Sequence, residues 1–153
     1  VYAACMKKRL LTLLPALIMT GLIAWASSQT FSAENTGGLL YLLLAWAFPG
    51  FSAETLAGLN TLLRKAGHVT AYGLLALSWL GALQSSFRQR ASAREIFFAL
   101  LIALALASWD EWNQSLIPSR TGTAWDLCWD MGGALLFLCL QFWFSGFYSQ
   151  RKT

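Results

Sequence analysis

Long apolar runs dominate the chain, and short polar stretches separate them. The first run, Leu10 to Ala26, follows Lys7-Lys8-Arg9 and is long enough to cross a hydrocarbon core of roughly 30 Å. Ser27-Ser28-Gln29 closes it, and a polar segment, Thr30 to Gly38, follows. The next run, residues 39–48, has only about ten apolar residues, too few to cross, and Pro49-Gly50 ends it. It reads as a re-entrant or interfacial segment. Ser52 is placed to cap a new helix, in which Leu56, Leu59 and Leu63 recur at helical spacing and make one apolar face. This amphipathic helix is expected to lie along the membrane surface and lead into the second span.

That span runs from about Ala66 to Leu83, and Gln84 to Arg94 is a polar connection. A third span starts at Ile96, reaches Ile117 and is stopped by Pro118. Ser119 to Thr123 forms a tight loop in which Thr123 is a plausible cap for the fourth span, Ala124 to Phe144. The pattern therefore predicts an all-α membrane protein with four transmembrane helices, at residues 10–26, 66–83, 96–117 and 124–144. A short re-entrant or interfacial segment and an amphipathic helix lie between the first two. One domain covers residues 6–150; Met6 reads as the natural start, because Val1 to Cys5 add nothing to the pattern. Ala24-Trp25-Ala26 is a poor signal-cleavage site, so the first helix is expected to stay attached.

Composition agrees with the pattern. Hydrophobic residues make up 57% of the chain and charged residues 12%, against roughly 25% charged in a soluble domain. Eight tryptophans suit membrane interfaces. The net charge of +4 comes from short basic clusters beside apolar runs, which reads as topology and excludes a nucleic-acid face. Lys7, Lys8, Arg9, Arg88, Arg90, Arg94, Arg151 and Lys152 fall on one side of the four-span arrangement, and only Arg64, Lys65 and Arg120 on the other. The positive-inside rule then puts both termini in the cytoplasm. Cys5, Cys128 and Cys139 have no metal-like spacing, and the last two are expected to be buried packing residues.

The polar residues within the apolar runs carry the chemistry, because ionisable groups inside spans are costly and mark sites. Lys65, His68 and Tyr72 share a helix face at the mouth of the second span. Asp110, Glu111 and Gln114 sit in the last turns of the third, with Glu111 and Gln114 nearly on one face and Asp110 rotated away from Gln114. Asp126 opens the fourth span, where the helix dipole favours a carboxylate, and Asp130 lies one turn, roughly 6 Å, deeper. Arg120 stands in the loop between. Three helices thus bring polar groups to one depth, beneath the outer leaflet. The blander alternative is a structural ion-pair network without a ligand.

Ser27-Ser28-Gln29, Lys65-x-x-His68-x-x-x-Tyr72, Glu111-x-x-Gln114 and Arg120 followed by Asp126 and Gly132-Gly133 resemble the pattern of the VanZ-like membrane proteins, from Leu10 to Phe144. The chain departs from that pattern at Asp130, where the family has asparagine, and at Arg64, where an acid often precedes the lysine. The resemblance implies a protein of the bacterial inner membrane with a role in envelope integrity or in tolerance of teicoplanin-type glycopeptides.

Two functions are in view. In the first, a non-catalytic pocket binds a lipid headgroup or lipid-linked envelope intermediate through Lys65, Tyr72, Gln114, Arg120, Asp126 and Asp130. In the second, a small intramembrane hydrolase or transferase acts on a lipid-linked phosphate, with His68 or Glu111 as general base. No cofactor is expected. A metal variant of the second would hold a divalent ion on His68, Glu111, Asp126 and Asp130. A proton-coupled carrier is disfavoured by four short spans without repeats. The chain has no Gly-rich phosphate loop and no serine nucleophile elbow, which tilts the balance to the first function.

Overall fold

The computed structural model describes residues 2–27, 35–84, 91–116 and 124–150, and all regular structure among them is helical. Five helices follow in order: α1 (Tyr2–Ala26), α2 (Asn35–Ala47), α3 (Ala53–Leu83), α4 (Ala93–Ser115) and α5 (Ala124–Gln150). Two of them contain stretches long and apolar enough to cross a membrane, Ala53–Leu83 and Trp125–Gly146; Leu10–Ala26 and Gly38–Ala47 are shorter apolar stretches.

α3 is the axis of the molecule and packs against each of the other four helices. The sequence pattern splits it into a surface helix and a span, but it is one unbroken helix of 31 residues. Ser52 starts it, its hydroxyl accepting the Thr55 N–H at 3.2 Å. Nothing afterwards stops it: the stretch lacks proline, and Gly58 and Gly67 each cost only about 1 kcal/mol. Such a helix is roughly 46 Å long, so its first turns reach beyond the ends of α1 and α4. There α2 packs on it, and Leu44 and Leu56 are buried. Residues 39–48, expected to be re-entrant or interfacial, fall almost wholly within the α2 helix.

The other boundaries move for local reasons. α4 begins at Ala93, ahead of the expected Ile96, because Ser92 and Glu95 form a capping box. The Ser92 N–H donates to Glu95 Oε2 at 2.7 Å and the Glu95 N–H to Ser92 Oγ at 3.3 Å, satisfying two orphan donors at once. α4 ends at Ser115, before the proline expected to stop it; Pro118, Arg120 and Thr123 lie outside the described residues. α5 runs on to Gln150 rather than stopping near Phe144.

Helix directions follow from the contacts. Trp79 Nε1 donates to Thr20 Oγ1 at 3.1 Å, while Ile23 and Ser27 share a cavity wall with Gly67 and Ala71. Higher numbers on α1 meet lower ones on α3, so the two are antiparallel. α5 runs parallel to α3: Lys65 meets Trp129, Val69 meets Gly133 and Gly73 meets Phe137. Two glycines make that approach close. A Cβ on Gly133 would collide with the Val69 carbonyl group, and one on Gly73 would lie 2.5 Å from the Phe137 ring.

Below the polar end the core is small and dry. Leu75, Ala76, Ala99, Ala103, Ala107 and Ala134 have no exposed surface, and small residues of this kind let helices pack closely without a water-driven hydrophobic term. The outside is apolar, with Leu14, Leu17, Ile18 and Leu22 of α1, Phe97 and Leu101 of α4 and Leu135, Leu136 and Phe142 of α5 exposed. Hydroxyls on these helices fold back on their own backbone, as Thr20 does on Ala16 O at 2.8 Å, Thr70 on Ala66 O at 2.8 Å and Ser78 on Leu74 O at 2.7 Å. Cys128 and Cys139, expected to be buried, are exposed; they lie on the outward stripe of α5 with Leu135, Leu136 and Phe142.

Candidate functional site: a polar pocket at one end of the bundle

The polar residues gather where α1 and α4 end and α5 begins. The reason is the α3–α5 crossing. With no side chain at Gly133, α5 rests on the backbone of Val69, and this places Asp130, one turn earlier, against His68. His68 Nδ1 and Asp130 Oδ1 are 2.9 Å apart. Asp130 is wholly buried, whereas the His68 side chain keeps 26% of its surface. The second carboxylate oxygen, Oδ2, is buried with no partner among the described residues.

A second cluster joins α3 to α4. Tyr72 donates its hydroxyl to Asp110 Oδ2 at 3.3 Å, and Gln114 Nε2 donates to Asp110 Oδ1 at 2.8 Å. All three are buried, Tyr72 at 2%, Asp110 at 4% and Gln114 at 8% exposure. Asp110 is therefore the hub of this cluster, contrary to the expectation that it turns away from Gln114. Residues four apart on a helix are neighbours on its surface, and that spacing was the available signal.

Between α1, α3 and α4 lies a cavity of about 300 Å³. Ser27, Arg64, His68, Tyr72, Asp110 and Gln114 supply its polar wall, and Ile23, Ala26, Gly67 and Ala71 its apolar wall. Arg64 and Ser27 were not among the expected ligand-binding residues. Arg64, Gly67, His68 and Ala71 have the three- and four-residue spacing of one helix stripe, which turns them to α1. Lys65, one position on, turns to the α5 side, where its Nζ lies 5.1 Å from the ring centroid of Trp129; it does not line the cavity.

Glu111 also stands apart from the cavity wall. Its Oε1 is buried without a partner among the described residues, within electrostatic reach of Asp126, Asp110, Asp130 and His68. Asp126, in the first turn of α5, acts on His68 and Glu111 through charge. Arg120 lies outside the described residues. Among the described residues no group of three or more His, Cys, Asp or Glu side chains is placed to hold a metal ion. No protein-family model, curated protein or solved structure matches the chain.

Proposed function

We propose that the chain is a multi-pass protein of the bacterial inner membrane, akin to the VanZ-like proteins, whose polar pocket receives the headgroup of a lipid or lipid-linked envelope intermediate. In this reading α1, α3, α4 and α5 are the four spans and both termini are cytoplasmic. The apolar exteriors of α1, α4 and α5 support it, because soluble monomers rarely expose contiguous apolar patches beyond a few hundred Å². So do the tryptophans. Trp25, Trp109, Trp112, Trp125 and Trp129 are all partly exposed and sit at the pocket end of their helices, the level at which tryptophan anchors spans in the headgroup region. The pocket thus opens where headgroups lie.

The observation that carries the proposal is the cavity itself. It is large enough for a phosphate-bearing headgroup, and Arg64 lines it together with Tyr72, Asp110 and Gln114 of the buried cluster. A guanidinium is suited to phosphate. The test is lipid retention by the full chain purified in mild detergent, read by native mass spectrometry. Wild type retains phospholipid, and Arg64→Ala lowers retention about tenfold, equivalent to about 1.4 kcal/mol. Equal retention by both proteins refutes the pocket.

A second reading, an intramembrane hydrolase or transferase, is favoured by one observation: the His68–Asp130 pair places a histidine held by a buried carboxylate on the cavity wall. The two readings separate in cells challenged with envelope stress, including a teicoplanin-type glycopeptide. His68→Ala, expressed at normal abundance, abolishes function in the second reading and leaves lipid retention intact.

A further inference from the structure

His68 is the chain's only histidine, and its two ring nitrogens have different surroundings. Nδ1 is taken up by Asp130 Oδ1 on the α5 side, at 2.9 Å. Asp130 is fully buried, so its grip does not exchange with solvent. His68 also lines the cavity between α1, α3 and α4, and no bond to Nε2 is formed by a described residue. In a neutral imidazole one nitrogen donates and the other accepts. A carboxylate at Nδ1 selects the tautomer with the proton there, which leaves the lone pair on Nε2. The same second-partner logic sets the tautomer of histidines in many functional sites.

The neighbours narrow what can meet that lone pair. Tyr72 gives its single hydroxyl proton to Asp110, and Gln114 is held on the same carboxylate by one of its two amide N–H groups. Arg64 is four residues before His68 on the same stripe, which sets their Cβ atoms roughly 6 Å apart. Arg64 is donor-only and the Nε2 of this tautomer is acceptor-only. A ligand that fits both presents an anionic oxygen to the first and an O–H to the second, within one headgroup's length.

We propose that His68 and Asp130 form a dyad in which Asp130 is the positioning residue and Nε2 accepts a hydrogen bond from a hydroxyl of a hydroxylated phosphate headgroup held by Arg64. The hydroxyl proton stays on the ligand oxygen and points at Nε2, while Nδ1–H stays donated to the Asp130 carboxylate. Glu111, the other expected base, lies off the cavity wall and has no such access. The ligand half of this inference rests on the headgroup reading above; the tautomer half does not.

The experiment uses full-length protein in lipid nanodiscs with ring-15N histidine, where one residue supplies the whole signal. Above the titration of His68, wild type shows a single neutral tautomer, with Nδ1 protonated and Nε2 bare. Asp130→Asn, whose amide can donate as well as accept, gives a mixture of the two. An Nε2–H tautomer or a mixture in wild type overturns the dyad, and needs no variant to fold. A single unchanged tautomer in Asp130→Asn overturns the role of Asp130. Phosphatidylglycerol, but not phosphatidylethanol of the same charge and without the hydroxyls, then shifts the Nε2 resonance; equal shifts overturn the hydroxyl assignment. Soluble glycerol phosphate as a third arm distinguishes a free source from a lipid one, and a shift with either supports the dyad. If the tautomer is as stated and no phospholipid is retained or sensed, the dyad stands and the headgroup ligand is refuted.

Discussion

Two halves of α4 share one buried stripe and carry opposite chemistry. Ala99, Ala103 and Ala107 occupy one stripe and are fully buried; Asp110 and Gln114 continue it and are almost as buried. In the alanine half nothing needs a partner, so helices close on each other by shape alone. In the polar half each buried group has to find one, and Tyr72, Asp110 and Gln114 find each other. The alanine half is indifferent to which side chain meets which, within limits of volume. The polar half has one arrangement only. The cavity of about 300 Å³ opens beside the second, because a hydrogen-bonded cluster cannot collapse to fill space as methyl groups do.

Gly133→Ala is the most severe way to break that contrast. The added methyl meets the Val69 backbone, which cannot move without carrying α3 with it. Overpacking of this kind costs about 3 kcal/mol and parts His68 from Asp130. Gly132→Ala, with open space around the added carbon, raises stability by about 1 kcal/mol, the helix-propensity difference. Thermal unfolding in detergent, followed by circular dichroism, checks both; equal midpoints for the two variants contradict the crossing described here.

Next in size is Asp110→Ala, which strands the Tyr72 hydroxyl and the Gln114 amide without their acceptor. The expected loss is about 2 kcal/mol. On the same stripe Ala103→Gly costs only about 1 kcal/mol, chiefly from helix propensity. If the two losses come out equal, the polar half is no more specified than the alanine half, and the comparison fails.

The all-helical character was legible because runs of leucine, alanine and phenylalanine leave few other options, and the polar end was legible because lone acids in such runs have to gather. The partners within the cluster were harder to read. His68, Asp130, Tyr72 and Gln114 stand out by their positions at helix ends, whereas the rotation of Asp110 taken alone points it away from the cluster. The i, i+4 spacing of Asp110 and Gln114 was the better guide. Arg64 was missed for a similar reason: the eye pairs it with Lys65, while a 100° step sends one to α1 and the other to α5. The continuity of α3 was obscured by Arg64-Lys65, which look like the edge of a span. A helix has no cause to break at charged residues that its overhanging turns can carry clear of the apolar core. The exposed cysteines have no signal in the sequence, since an outward apolar stripe and a buried stripe have the same composition.

Tyr72→Phe tests the cluster more gently. It keeps the ring and removes a bond of 3.3 Å, so the expected loss is about 1 kcal/mol. Because Gln114 still serves Asp110, Tyr72→Phe and Gln114→Leu together should cost more than their separate losses added. Strict additivity in a double-mutant cycle would mean that the carboxylate does not couple the two.

The smallest effect belongs to Lys65, and it sharpens the comparison by lying just outside the pocket. Its ammonium sits over Trp129 on the α5 side, where a cation–π contact at a partly exposed site is worth about 0.5 kcal/mol. Lys65→Met keeps the stem and removes the charge. Stability should fall by that small amount, and phospholipid retention should stay at the wild-type level, since the cavity takes its cation from Arg64. Arg64→Met should do the reverse, leaving the unfolding midpoint unchanged while retention drops. A Lys65→Met protein that loses lipid as Arg64→Met does would move the binding surface to the other face of α3, next to Trp129, and the pocket between α1 and α4 would no longer be the site.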